Sequence, residues 1–290
     1  MRLVISFCLH QLRTLWTNLR GLPWPRRVRS VLKLSREVVG HHLSASASPI
    51  VGLGIDNDEK LTVILLNHKR PENVAMIARY MLRGGFVGKL IVSNNSQEYP
   101  IEDYVTLRDS RLILLNQEAP SGVGIRFEVA KNHSARYYLC VDDDIFLHSA
   151  QLQWIYWHLR EFDERPHGIF GAGYDPDKAA GTGWPFVHQR NKEGPVDILN
   201  GLFAFTKQHL DEYFRLCAVL GVGDTKALMN GEDIILSFSG SKRPWIHHVG
   251  PIWECASASS PGIALYMSRP GFYEERWRIF SELQSKKLLA

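Results

Sequence analysis

The chain has 290 residues, of which 45% are hydrophobic and 22% are charged, and this is enough for one large α/β domain or two small ones with a sizeable core. Its formal net charge is only +4, so binding of nucleic acid by the whole domain is not expected. The four cysteines show no paired spacing, which argues against a zinc site and against a disulfide scaffold.

Residues 1–57 form a basic extension, partly helical, ahead of the domain that we assign to residues 58–290. Between Met1 and Arg36 there are eight basic residues and no acid. Apolar residues recur there at helical spacing and predict an amphipathic helix: Val4, Phe7, Leu12, Leu15 and Leu19. Such a helix suits an anionic membrane surface, and the alternatives are a helix packed on the domain or a targeting segment. SASASP, Ser44–Pro49, predicts a linker.

The cellular location is bounded only loosely by the sequence. No stretch reaches the apolar length of a transmembrane helix. The cysteine pattern is typical of a reducing compartment. We therefore expect a cytoplasmic or peripheral membrane protein, and the lumen of the secretory pathway is left open.

Four apolar segments of the domain have the length and composition of buried strands, and helical patterns separate them. They are Leu61–Asn67, Lys89–Asn95, Arg111–Asn116 and Tyr137–Val141. Strands that alternate with helices predict an α/β domain with a mostly parallel central sheet flanked by helices. Polar residues follow the carboxyl ends of several of these strands. Because open α/β sheets bind ligands beyond these ends, we expect the polar side chains to meet in one crevice.

Two acidic motifs are candidates for chemistry. VDDD, Val141–Asp144, ends the fourth strand, and its three adjacent carboxylates predict either a bound divalent cation or a solvent-exposed acidic turn. NGEDIILSF, Asn230–Phe238, predicts a helix with its first residue as N-cap. Glu232 and Asp233 fall in the first turn, either as functional carboxylates or as capping charges. PWIHHV, Pro244–Val249, predicts an edge strand.

The ordered set of motifs resembles the GT-A fold glycosyltransferases, most closely the exostosin-like, retaining glycosyltransferase family 64 and more distantly family 2. The matching part covers about Leu61 to Leu283 and ends in a helix that carries arginine. Its motifs are NHKR (Asn67–Arg70), IVSNN (Ile91–Asn95), IRFEVA (Ile125–Ala130), YLCVDDDI (Tyr138–Ile145), LNGLFAF (Leu199–Phe205) and NGEDIILSF. The resemblance implies the GT-A fold, a UDP-sugar donor, Mn²⁺ or Mg²⁺ as cofactor, and a glycan or glycolipid as acceptor. The transferred group would be a hexose or an N-acetylhexosamine.

The resemblance also assigns residues to the donor. Arg70, Asn94 and Arg126 would bind the nucleotide. Asp142 and Asp143 would contact the ribose and the sugar. An alternative for Arg126 is a solvent-facing place on its helix.

Three further roles follow from the same resemblance. Asp144 would bind the metal, Asp233 would be the carboxylate near the anomeric carbon, and Arg276 would reach the diphosphate or the sugar. An alternative for Arg276 is a surface ion pair with Glu274 or Glu275. In an inverting, family 2-like enzyme, Asp233 would instead be the general base.

Two other functions remain open at this stage. A sugar nucleotidyltransferase shares the topology, but it normally has a Gly-rich, basic loop after the first strand, and NHKRPEN is not such a loop. A non-catalytic module that binds a nucleotide sugar is the other. The segment Gly240–Pro261 matches the family poorly, which leaves the acceptor undefined.

Overall fold

The computed structural model describes residues 2–20, 24–47, 54–178, 184–258 and 263–288. The helices are α1 Arg2–Asn18, α2 Trp24–Ala47, α3 Pro71–Met81, α4 Ile125–Asn132, α5 Ser149–Glu161, α6 Lys207–Val219, α7 Glu232–Ser237, α8 Leu265–Ser268 and α9 Phe272–Leu288. The strands are β1 Leu61–Asn67, β2 Val87–Asn94, β3 Leu112–Asn116, β4 Tyr137–Asp142, β5 Ile145–Phe146, β6 His167–Gly168, β7 Phe170–Tyr174, β8 Phe186–Arg190, β9 Gly194–Pro195, β10 Ile198–Asn200, β11 Leu202–Thr206, β12 Trp245–Ile246 and β13 Trp253–Glu254.

The central sheet has, among the described residues, eight strands in the order β3, β2, β1, β4, β11, β6, β12, β9. β1 is parallel to both of its neighbours, β2 and β4, and β2 is parallel to β3. β11 runs antiparallel to β4. The predicted α/β fold with a mostly parallel central sheet flanked by helices is confirmed.

The hydrophobic core covers both faces of the sheet. Every residue of β1 is buried. Val63 and Leu65 belong to the cluster on one face, and Ile64 and Leu66 belong to the cluster on the other. This explains why β1 is a continuous apolar run rather than an alternating one. The register pairs Leu66 with Asp142, so the carboxyl ends of β1 and β4 lie side by side.

The predicted edge strand Pro244–Val249 is wrong in its position. Its strand, β12, lies inside the sheet, parallel to β6 and antiparallel to β9. The edge strand on this side of the sheet is β9, which contains Pro195. Proline has no N–H to donate, so it suits an edge. A strand as short as Gly194–Pro195 has no hydrophobic pattern from which its position could be predicted.

Helix α1 packs on the domain. The ring of Phe7 lies 5.3 Å from the centroids of both Phe146 and Trp253. The side chain of Gln11 donates to Asn73 Oδ1 at 2.8 Å and accepts from the backbone N–H of Ala256 at 3.0 Å. The packed-helix alternative accounts for these contacts. The division of the chain at residues 57 and 58 stays a prediction.

The link between the extension and the domain is described only in part. Of the predicted linker, Ser44–Ala47 belongs to α2, whereas Ser48 and Pro49 lie outside the described residues. Within the described ranges, no helix combines the length and the apolar character that a membrane span requires.

Two buried histidines act as hydrogen-bond acceptors at helix starts, and they predict acid sensitivity. Nδ1 of His148 accepts from the backbone N–H of Gln151 at 3.4 Å, and Nδ1 of His209 accepts from that of Thr206 at 3.2 Å. Burial lowers the pKa of each ring to about 4. Because the unfolded rings bind protons more readily, stability should be lost as the pH falls from about 6.5 to about 4.

The variant His148→Asn tests this expectation, since asparagine can accept the same hydrogen bond without titrating. Urea unfolding from pH 7 to pH 4 should show a smaller loss of unfolding free energy for His148→Asn than for the wild type. Parallel pH profiles would contradict the assignment.

Candidate functional site

A cavity of about 690 Å³ opens at the carboxyl ends of β1 and β4. This volume is in the range of small-molecule sites. Seven of the eight site residues predicted from the sequence line it, together with polar residues of the second half of the chain. The seven are Arg70, Arg126, Asp142, Asp143, Asp144, Asp233 and Arg276.

Asp143 anchors the acidic turn to the domain. Its Oδ1 accepts from Nη1 of Arg70 at 2.6 Å, and its Oδ2 accepts from the backbone N–H of His68 at 3.0 Å. Its carbonyl oxygen accepts from the side chain of Asn73 at 2.7 Å. Nη2 of Arg70 also lies 3.3 Å from Asp144 Oδ2. Both oxygens of Asp143 are therefore used within the protein, and this fixes the turn.

Arg126 is buried and faces the cavity, so the solvent-facing alternative is wrong. Its Nη2 pairs with Asp142 Oδ1 at 2.8 Å and lies 3.8 Å from Glu232 Oε1. Its Nη1 has no hydrogen-bond partner in the described part of the chain. A buried donor without a partner costs roughly 1–3 kcal/mol, more when it is charged. A ligand oxygen in the cavity would remove this cost.

Asp233 and Arg276 form a buried bidentate ion pair, so Arg276 is not in the surface pair with its own helix. Nη1 of Arg276 donates to Asp233 Oδ1 at 2.9 Å, and Nη2 donates to Oδ2 at 2.7 Å. Nη1 also lies 3.2 Å from Asn230 Oδ1. Asp233 additionally accepts from the backbone N–H of Ile234. The pair holds Asp233 in one orientation at the cavity wall.

The predicted N-cap at Asn230 is wrong, because Gly231 occupies the cap position of α7. The side chain of Asn230 instead donates to the carbonyl oxygen of Phe272 at 2.8 Å. Gly231 has φ +84°, a left-handed conformation that favours glycine. A Cβ at this position would also collide with Ile279 Cδ1 on α9. Asn230 thus joins α7 to α9, and Gly231 provides the turn that brings Asp233 to Arg276.

We expect Gly231→Ala to destabilise the protein by about 2–4 kcal/mol, from backbone strain together with overpacking. Gly221→Ala is the matched control, because Gly221 has φ +72° and open space where its Cβ would lie. It should cost about 1–2 kcal/mol from strain alone. Urea unfolding measures both. If both variants lose the same free energy of unfolding, the side chain of Ile279 moves aside without an energetic penalty.

Asp144 is the acid of the turn whose negative charge is least balanced by a nearby arginine, since its closest one, Arg70, lies 3.3 Å away. Burial raises its pKa to about 8; Arg70 opposes the rise, and Asp142, Asp143 and Glu254 add to it. Glu254 lies on β13, which pairs with β5 directly after the turn. In the described residues, no three His, Cys, Asp or Glu side chains form a preformed metal centre. Mg²⁺-like ions usually bind one or two carboxylates together with substrate phosphates, and Asp144 with Glu254 fits that pattern.

Asn94, the eighth predicted residue, lies behind the cavity wall. Its side chain accepts from Asn67 at 2.7 Å and donates to Asn116 Oδ1 at 2.9 Å, which ties β1, β2 and β3 together. The next residue, Asn95, lines the cavity and exchanges hydrogen bonds with Ser121. The role of Asn94 in nucleotide binding stays a prediction.

The sequence analysis left the role of Glu232 open and gave no indication of the aromatic rings that line the cavity. Glu232 lines it, and burial with Asp233 nearby raises its pKa to about 7, although Arg126 and Arg276 oppose the rise. Aromatic rings form part of the wall, with Trp184 and Tyr273 at a centroid distance of 5.1 Å. The adjacent acids Glu232 and Asp233 were a usable signal, whereas the rings come from distant segments and gave none.

Comparisons with known proteins identify the fold. No protein-family model matches the chain, and no curated protein sequence matches it. The crystal structure of GalNAc-T7 with UDP, GalNAc and Mn²⁺ matches with a TM-score of 0.50 and 9% identity, over 87% of this chain and 58% of that chain. The structure of S. aureus TarS 1–349 in complex with UDP-GlcNAc matches with a TM-score of 0.49 and 15% identity, over 77% of this chain and 66% of that chain.

The chain therefore spans less than two thirds of each of these two neighbours. At such low identity the likeness to GalNAc-T7 shows the fold alone, and the chain has the GT-A fold.

Proposed function

We propose that the chain is a metal-dependent glycosyltransferase that moves a sugar from a UDP-sugar to a hydroxyl group of a glycan or glycolipid. One observation carries this proposal. Three arginines, of which Arg126 and Arg276 are buried and Arg70 is half-buried, converge with their carboxylate partners at the carboxyl edge of a GT-A sheet. The pairs are Arg70 with Asp143, Arg126 with Asp142, and Arg276 with Asp233. The GalNAc-T7 neighbour was crystallised with UDP and Mn²⁺, which agrees with the proposal.

The donor's phosphates and sugar would bind next to the three arginines. Arginine suits phosphate because its planar fork stays charged and donates in pairs. Nη1 of Arg126 lacks a protein partner among the described residues, so it is the donor most readily available to a ligand oxygen. Arg70 would bind a phosphate by sharing its contact with Asp143.

Mn²⁺ or Mg²⁺ would be held by Asp144, with Glu254 as a further oxygen ligand. The ion would supply a Lewis acid for the departing diphosphate. Glu254 also pairs with Arg190, so it would have to share that contact. The protein's own task is to place two acidic oxygens at the mouth of the sheet, which the β5–β13 pairing does.

Asp233 would stabilise positive charge that develops at the anomeric carbon. Its two oxygens are held by Arg276, so it is poorly placed to take a proton from the acceptor. This favours retention, in which the acceptor attacks from the face that the diphosphate leaves. The inverting alternative has one supporting observation, because Glu232 lines the same cavity with a pKa raised to about 7 by burial. A carboxyl with that pKa suits a general base at neutral pH.

The assignment to family 64 and the choice between a hexose and an N-acetylhexosamine belong to the same proposal. A panel of UDP-sugars should be screened for UDP release with Mn²⁺, with and without glycan acceptors. NMR of the product then gives the anomeric configuration. Nucleotide-sugar formation from a sugar phosphate and a nucleoside triphosphate would instead identify a nucleotidyltransferase. Donor binding without turnover under every condition would indicate a non-catalytic module.

A further inference from the structure

The outer face of α1 is apolar although its inner face is already packed. Phe7, Gln11 and Leu19 are buried, and Phe7 and Gln11 contact the domain. On the outer side, Leu9, Leu12 and Trp16 recur at i, i+3 and i+7 and are exposed. This spacing places them on one face of the helix. The sequence analysis grouped Leu12 with Phe7 and Leu19 in one apolar stripe, whereas the structure exposes Leu12 and buries the other two.

Helix α2 presents a second stripe of the same kind. Val28, Leu32, Val39 and Leu43 recur at i, i+4, i+11 and i+15, and they are between 37% and 66% exposed. Trp24 lies one turn before Val28 and is also exposed. Its ring is 6.1 Å from that of Trp16, so the two stripes adjoin where α1 is connected to α2. We call the combined surface the apolar hairpin face: Leu9, Leu12, Trp16, Trp24, Val28, Leu32, Val39 and Leu43.

Exposed cations border the apolar hairpin face. Arg13 lies on α1, one turn after Leu9, and Arg29 and Arg36 lie on α2 beside Val28 and Leu32. The two helices contain one acid, Glu37. Cations at the border of an apolar stripe match a surface with phosphates above acyl chains. Tryptophan at the end of such a stripe suits the depth of the lipid headgroups.

We propose that the apolar hairpin face binds the surface of an anionic lipid bilayer. An exposed apolar surface formed by eight side chains of two adjoining helices marks an interaction site. The cationic border selects the partner, because it complements anionic headgroups and would gain nothing from an apolar protein surface. This proposal does not depend on the catalytic activity.

Helix α1 is linked to the candidate site by a short chain of hydrogen bonds. Gln11 of α1 donates to Asn73 Oδ1, and Asn73 donates to the carbonyl oxygen of Asp143. The helix that carries the first stripe therefore also supports the acidic turn. Deleting the extension would remove Phe7 and Gln11 from the domain and would confuse folding with binding, so point variants are needed.

The test is flotation of the full chain with vesicles of phosphatidylcholine alone and of phosphatidylcholine mixed with phosphatidylserine. The wild type should bind the anionic vesicles, and less so at high salt. Leu32→Asp combined with Leu43→Asp should weaken binding by about a hundredfold, since each buried leucine contributes roughly a factor of ten. Arg29→Gln combined with Arg36→Gln should weaken it by about thirtyfold, from roughly fivefold per cation removed.

The matched control is Val219→Asp, which changes an exposed apolar residue of α6 and should leave flotation unchanged. Thermal unfolding checks that every variant is folded. Absence of wild-type binding to anionic vesicles, or equal binding by the double leucine variant, would overturn the proposal. So would a dimer in sedimentation that the double leucine variant abolishes, because the face would then join two copies of the chain.

Discussion

Replacing Asp233 with asparagine should destabilise the protein by about 3–5 kcal/mol and abolish UDP release. The destabilisation follows because Arg276 is buried and would lose its bidentate carboxylate, which leaves an uncompensated charge. The loss of activity follows from the proposed role of Asp233 at the anomeric carbon. Urea unfolding and a UDP-release assay measure the two effects.

The double variant Asp233→Asn with Arg276→Gln separates these effects. It removes both charges, so most of the lost free energy of unfolding should return. A double-mutant cycle gives this recovery as the coupling free energy between Asp233 and Arg276. Activity should not return, because the carboxylate is still missing. If the single and double variants are equally unstable, the ion pair is not what holds α7 against α9. If the double variant is active, Asp233 is not a catalytic residue.

Replacing Asp144 with asparagine should remove Mn²⁺-dependent UDP binding while raising the stability of the metal-free protein at neutral pH. Burial raises the pKa of Asp144 to about 8. The folded carboxyl therefore holds its proton more tightly than the unfolded one, and the wild type loses stability as the pH rises from about 4 to about 8. Because asparagine does not titrate, the variant should lack this dependence of stability on pH.

Calorimetry with UDP, with and without Mn²⁺, and urea unfolding from pH 5 to pH 8 measure these effects. We expect at least about a hundredfold loss of UDP affinity with Mn²⁺, more than the 10–100-fold typical of residues that only support a metal ligand. Asp58→Asn, at an exposed acid outside the cavity, is the control. Unchanged UDP affinity in Asp144→Asn would contradict the metal assignment, and lower stability would indicate a structural ion pair.

The long apolar elements were predictable from the sequence because burial on both faces leaves a continuous pattern. The first strand was predicted at Leu61–Asn67, where β1 lies. A last helix that carries arginine was also predicted, and α9, Phe272–Leu288, is that helix. Short strands such as β9 and β12 were not predictable in position, since two residues carry no periodicity and their neighbours come from distant parts of the chain.

The acids of the site were predictable as a group, but their partners were not. Adjacent carboxylates stand out in the sequence, whereas the pairing of Asp233 with Arg276 joins residues 43 positions apart. Likewise, Asn94 and Asn95 are chemically identical, and only the end of β2 decides that Asn95 lines the cavity while Asn94 joins three strands. Gly231 could have been recognised as the cap only with knowledge of the backbone turn.

The cavity is close to charge balance before any ligand enters. The described residues that line it include six carboxylates and five lysine or arginine side chains. A diphosphate that enters alone would compete with carboxylates for their arginines, and a cation that enters alone would compete with arginines for their carboxylates. Each should therefore increase the affinity of the other, and by the same factor in either order of addition. Titrating UDP at fixed Mn²⁺, and Mn²⁺ at fixed UDP, should give the same coupling free energy.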